Sequence, residues 1–218
     1  PTRRSSDLEW SENLEDAKGL IENIIATNNI DSTRIYSYGC SAGGYMALDM
    51  VVHNPNMFAA VVSTCPAIDQ QNINTYGEGR RITDEEIKAI NIPTWVIQAK
   101  DDTTVKYEES ALRVYNLLKD KGAILTTYET GGHSSWIHTA KNEPENNGEH
   151  VWQWTSKQSI KANVNNPVYS TEKEIMPKKT AVKTGDTNFI DLYIILGSVS
   201  MSVMAGYIYK RKEEKIES

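Results

Sequence analysis

Residues 58–64, FAAVVST, and residues 93–99, PTWVIQA, are short runs in which apolar positions do not alternate with charged ones. Runs of this kind suit strands buried on both faces, and such strands occur where helices cover both sides of a parallel sheet. Around them the apolar period changes to that of a helix. Within residues 12–28, Leu14, Ala17, Leu20, Ile21, Ile24 and Ile25 recur at helical spacing. Residues 107–121 form another amphipathic stretch that Gly122 stops. Residues 34–38 and 124–129 read as further strands, and residues 150–158 as a last helix. Thr83 and Glu86 have the spacing of a capping box for a short helix in the otherwise polar segment 67–91. Strands alternating with helices predict an α/β fold: a parallel sheet with helices on its faces.

The chain has 218 residues, 39% apolar and 24% charged, which fits one globular domain with extra segments. Its net charge is −6 and it has no basic, aromatic-rich face, so no nucleic-acid partner is expected. Cys40 and Cys65 are too few for a disulfide framework. They lack metal-ligand spacing, and His53, His133, His138 and His150 form no H-E-x-x-H pattern. Neither a metal nor a cofactor is expected.

Residues 39–43, GCSAG, spell G-x-S-x-G between the strand at 34–38 and a helix that runs to about residue 52. That context is what a nucleophile elbow requires, with the serine on a sharp strand-to-helix turn. Gly39 and Gly43 would relieve crowding around that turn. Ser41 would then sit at a helix N-terminus, where backbone amides favour negative charge. A serine hydroxyl needs a base to take its proton and an acid to orient the base, and in this fold both follow it in the chain. Asp101 and Asp102 follow the strand PTWVIQA, and His133 follows the next strand in GGHSSW. Both loops lie at the C-terminal ends of strands, where ligands bind in open α/β sheets. His138 and His150 are the rival bases.

The motifs NIDSTRIYSYGCSAGGYMAL, IPTWVIQAKDDTTV and GGHSSW make a more specific match. Through them residues 10–158 resemble the C-terminal part of an α/β-hydrolase. They are most similar to bacterial peptidases and esterases related to prolyl oligopeptidases and polyhydroxybutyrate-depolymerase-type esterases. The resemblance implies Ser41 as nucleophile and His133 as general base. Its D-x-x-V pattern implies Asp102 as the acid, which leaves Asp101 to cap the turn before Tyr107. The activity implied is cleavage of carboxylic esters or peptides through an acyl-enzyme.

The backbone N–H of Ala42 is the expected first oxyanion donor, and the second belongs to a loop after an earlier strand that this chain does not contain. The chain alone is therefore expected to be barely active. Residues 67–91 are expected to overhang the site, and Trp136 to pack at its edge. Cys40 and Cys65 end neighbouring strands, as a bonded pair or as two free thiols. A non-catalytic surface binding domain on the same scaffold is the alternative function.

The ends of the chain read separately from the domain at 9–160. Residues 1–8, PTRRSSDL, match the in-frame translation of a common sequencing adapter and are expected to be an artefact, with the N-terminal part of the protein missing. Residues 161–188 read as a polar linker. Residues 192–209 carry no charge and are followed at once by Lys210, Arg211 and Lys212. With Phe189 and Ile190 they predict one transmembrane helix over 189–209, long enough at about 1.5 Å per residue to span a hydrocarbon core. The basic cluster places the tail, 210–218, in the cytoplasm and the hydrolase domain outside. The pair Thr184-Gly185, the span and the basic tail resemble a Gram-positive cell-wall sorting signal, with Ala181-Val182 in place of the usual Leu-Pro. That resemblance implies a sortase as partner and a surface-anchored protein.

Overall fold

The computed structural model describes residues 14–68 and 82–161. The expectations for residues 1–8, for the linker, span and tail, and for most of the overhanging segment lie outside the described residues. Among the described residues, no helix is long and apolar enough to cross a membrane.

Four parallel strands form one sheet in the order β1-β2-β3-β4, with β1 at Tyr36–Cys40, β2 at Ala60–Thr64, β3 at Thr94–Ala99 and β4 at Ile124–Tyr128. β2 and β3 are buried along their whole length, as their unbroken apolar runs require. Side chains alternate across them. Val61 and Val96 join the larger core with α1 (Leu14–Thr27), α2 (Ala42–His53), α3 (Asp84–Ala89) and α4 (Ala111–Leu118). Val62, Trp95 and Ile97 face the other way, onto α6 (Val151–Lys157). There Trp154 meets Trp95 edge-on and Trp152 meets Tyr38 edge-on, with ring centroids 5.2 and 5.1 Å apart. Such contacts add to the burial of the rings themselves.

Two buried serines fasten α2 to the sheet. Ser37 donates to the Ala47 carbonyl at 3.1 Å, and Ser63 donates to the Gly44 carbonyl at 2.9 Å. The capping box at α3 forms both ways: Glu86 N–H donates to Thr83 Oγ1, and Thr83 N–H donates to Glu86 Oε2. α3 packs at the C-terminal end of α2, beside Val51 and Val52. Those residues lie about 15 Å along the helix from Ser41. α3 therefore does not sit over the site, whereas Ala67, at the start of segment 67–91, adjoins it, its N–H donating to the Ser41 carbonyl at 3.0 Å.

Several boundaries differ from the sequence pattern. The stretch at 107–121 divides into turns, α4 and a 3₁₀ turn at Lys119–Lys121, and Gly122 closes it in the left-handed conformation, φ 78°. Its start is delayed because Ser110 is held non-helical, its hydroxyl donating to the Pro66 carbonyl. Two features have no counterpart in the sequence reading. One is α5 (Trp136–Ala140), and the other is a hairpin pairing β5 (Glu145–Asn146) with β6 (Glu149–His150).

Candidate active site

β1 hands the chain to α2 through Ser41, whose backbone is at φ 56°, ψ −120°. A non-glycine residue there is strained and persists only where its surroundings hold it. They do so from both sides. Ser41 N–H donates to the Thr64 carbonyl at 2.9 Å, and its own carbonyl accepts from Tyr45 and Ala67, each at 3.0 Å. Gly39 is obligatory: a Cβ there would lie 1.9 Å from the Gly43 carbonyl oxygen. Gly44 is needed too, because a Cβ would lie 2.8 Å from the Thr64 oxygen at the end of β2. The sequence pattern pointed to Gly43; the helix-to-strand approach at Gly44 appears only in three dimensions.

The loops after β3 and β4 meet over this turn. His133 Nε2 lies 2.8 Å from Ser41 Oγ, and His133 Nδ1 lies 2.9 Å from Asp102 Oδ2. Three residues from separate loops thus form one path of hydrogen bonds. The Asp102 side chain is wholly buried, and the imidazole is partly exposed at the rim. Burial alone would push the Asp102 carboxyl upward. Its bond to His133, the N–H groups of Val105 and Thr104 and the facing imidazole outweigh that and hold it below the ordinary carboxylate value. An ionised carboxylate only accepts, so Nδ1 is the donor and Nε2 keeps its lone pair for the serine O–H. α2 begins at Ala42, so the Ala42 N–H is in the first turn and has no acceptor inside the helix.

The rival histidines are elsewhere. His138 is in α5, paired through Nδ1 with the Glu143 carboxylate and stacked on Tyr128 at 4.2 Å. His150 lies in β6 at the start of α6, with Nδ1 buried. Trp136 is half-buried at the start of α5.

Asp102 faces His133 as the resemblance implied, but Asp101 is used differently from the expectation. Asp101 does not cap the turn before Tyr107; Asp102 does, its Oδ1 accepting from Thr104 and Val105 N–H at 2.9 Å each. Asp101 turns outward and accepts from Gly131 and Gly132 instead. Sequence reasoning also passed over Gln98. Its buried amide donates to Asp102 Oδ2 at 3.1 Å and to the Val105 carbonyl at 2.7 Å, and accepts from Ala111 N–H at 3.2 Å. A lone amide in a buried, mostly apolar strand, four residues before Asp102, was the available signal.

Cys40 and Cys65 are free thiols. Cys65 is buried beneath the site, its Sγ 3.8 Å from the His133 carbonyl. Cys65, Asp102 and His133 each present an atom that could ligate a metal, all within 4.8 Å of one another. Burial pushes the thiol up to about 12, and the Asp102 and His133 atoms already belong to the hydrogen-bond path above.

The state of Asp102 sets an acid limit to stability. Its pKa is lower folded than unfolded, so its contribution is present above the unfolded value, about 3.9, and is lost as pH falls through the folded one. Denaturation midpoints at pH 6 and pH 3 should therefore diverge more for the wild type than for Asp102→Asn. Equal divergence would remove Asp102 from the acid response.

The sheet with its flanking helices fits an α/β-hydrolase fold. The prolyl oligopeptidase family matches residues 6–81. The solved structure of a thermostable esterase is 29% identical, with a TM-score of 0.52, over 67% of this chain and 36% of that one. Est1E from Butyrivibrio proteoclasticus is 15% identical, with a TM-score of 0.50, over 61% of this chain and 65% of that one; at that identity the likeness is one of fold. This chain thus spans less than two thirds of either structure. No curated protein matches the sequence.

Proposed function

We propose that the chain carries the catalytic end of a serine hydrolase that cleaves carboxylic esters or peptides. What carries the reading is the continuous path from Ser41 Oγ through both nitrogens of His133 to the Asp102 carboxylate, at 2.8 and 2.9 Å. Ser41 attacks the acyl carbonyl while His133 Nε2 takes the hydroxyl proton. The carbonyl oxygen becomes an oxyanion facing the Ala42 N–H, and Asp102 stabilises the imidazolium. His133 then returns the proton to the leaving alkoxide or amine as the carbonyl–heteroatom bond breaks. Water, deprotonated by the same nitrogen, releases the acyl group and regenerates Ser41.

A fluorophosphonate should label the full-length protein and fail to label Ser41→Ala. Equal labelling of the two would overturn the reading.

We also infer a surface location, from the uncharged run at 192–209 and the basic cluster that follows it. Anchoring would come from the span alone or after sortase cleavage between Thr184 and Gly185, and the substrates would be external. Recovery of the protein mainly in the cytosolic fraction of its host would refute this.

A further inference from the structure

We propose that Asp101 is a positioning residue for the base: its carboxylate clamps the loop that carries His133. The inference rests on the hydrolase reading. Asp101 and Asp102 are neighbours on one turn, yet they face opposite ways, Asp102 buried and Asp101 exposed. Asp102 holds the ring of His133, while Asp101 reaches across to the backbone just before it. Its Oδ1 accepts from Gly132 N–H at 2.7 Å and its Oδ2 from Gly131 N–H at 3.3 Å.

That backbone needs a clamp. Gly131 is at φ 146° and Gly132 at φ 55°, conformations that favour glycine. Two consecutive glycines leave the loop many alternatives and give it no side chain with which to anchor itself. The β3–β4 ladder ends before the loop begins, with Lys100 N–H donating to the Tyr128 carbonyl at 2.8 Å. Beyond it, the Lys100–Glu129 ion pair at 2.6 Å lies in solvent and is a weak restraint. At the base itself, the 3₁₀ turn is closed by Ser134 N–H donating to the Gly131 carbonyl at 3.2 Å, and Cys65 Sγ gives the His133 carbonyl only a long contact. The two charge-assisted bonds from Asp101 fall one and two residues from the base. One turn therefore fixes both the ring and the loop that bears it, so an error in loop position becomes an error in the distance to Ser41.

The test compares Asp101→Ala and Asp101→Asn in the full-length protein, with Ser41→Ala as control. Turnover of p-nitrophenyl acetate is normalised to sites titrated with a fluorophosphonate. Asp101→Ala should lower kcat by about 10- to 100-fold, as small displacements of catalytic groups do, with KM nearly unchanged. Asp101→Asn keeps a carbonyl oxygen for Gly132 and should restore most of the rate. A merely structural role would reduce the number of titratable sites and the thermal midpoint, but not kcat per site. Wild-type turnover per site in Asp101→Ala, or an asparagine variant no better than alanine, would overturn the clamp.

A second readout is independent of chemistry. Hydrogen exchange of the Gly132 amide should speed up about tenfold or more in Asp101→Ala, as loss of a hydrogen bond to a charged group implies. Unchanged exchange overturns the clamp whatever the activity. Labelling that persists in Ser41→Ala overturns the hydrolase reading instead and leaves the exchange result to decide the clamp.

Discussion

Ser41→Ala is expected to lower kcat by about 10⁶-fold, the loss seen when a serine acts as one unit with its base. That corresponds to about 8 kcal/mol of transition-state stabilisation, at 1.36 kcal/mol per factor of ten. The fold should survive, because the deleted oxygen bonds to His133, whereas the turn itself is held by backbone bonds to Thr64, Tyr45 and Ala67. Ser41→Gly should lose the same activity but gain stability. At φ 56° the serine backbone carries about 1–3 kcal/mol of strain that glycine does not feel. Glycine's extra freedom when unfolded returns about 0.5–1 kcal/mol of that, so the net gain should be about 1 kcal/mol, or about 2–4 °C in thermal midpoint. Opposite signs for stability and activity at one residue would identify the strain as serving the nucleophile. A Ser41→Gly variant no more stable than Ser41→Ala would mean that the turn is relaxed.

Gly39→Ala should have the largest effect on folding. The new methyl would stand 1.9 Å from the Gly43 oxygen, 2.2 Å from its carbon and 2.8 Å from Gly44 N. All three are backbone atoms of the first turn of α2, so no side chain can swing aside. β1 cannot retreat, because Gly39 is in register with Ser63 in the β1–β2 ladder. We expect a loss above about 4 kcal/mol, a size reserved for a few mechanisms, steric overpacking among them. Soluble yield and urea midpoint would measure it. Gly44→Ala meets its nearest neighbour at 2.8 Å and should cost less. A Gly39→Ala protein as stable as wild type would disprove the close approach of β1 to α2.

Local chemistry made most of the sheet legible. β2 and β3 stand where unbroken apolar runs lie, because a strand covered on both faces has no polar side to reveal. Ser41 was legible because only a strand, a glycine-flanked turn and a helix in that order give G-x-S-x-G its elbow. The β5–β6 hairpin was missed although Asn147-Gly148 supplies its turn, both residues at positive φ. Its strands have two residues each and lack the apolar alternation that marks a hairpin.

That Ser41, the pair Asp101-Asp102 and His133 each stand just past the end of a strand belongs to the sequence by itself, since each place follows from a local run and the turn that ends it. Which of two adjacent aspartates turns inward follows from no such local rule: the D-x-x-V resemblance implied Asp102, and only the structure supplies the reason. Asp101 and Asp102 share composition, neighbours and turn, and their partners lie about 30 residues away on the loop after β4. Only the parallel pairing of β3 with β4 brings that loop within reach, and only burial against Gln98 and Val105 selects the carboxylate that holds the imidazole. The tertiary structure decided the division of labour because hydrogen bonds depend on distance in space, and a sequence gives distance only along the chain.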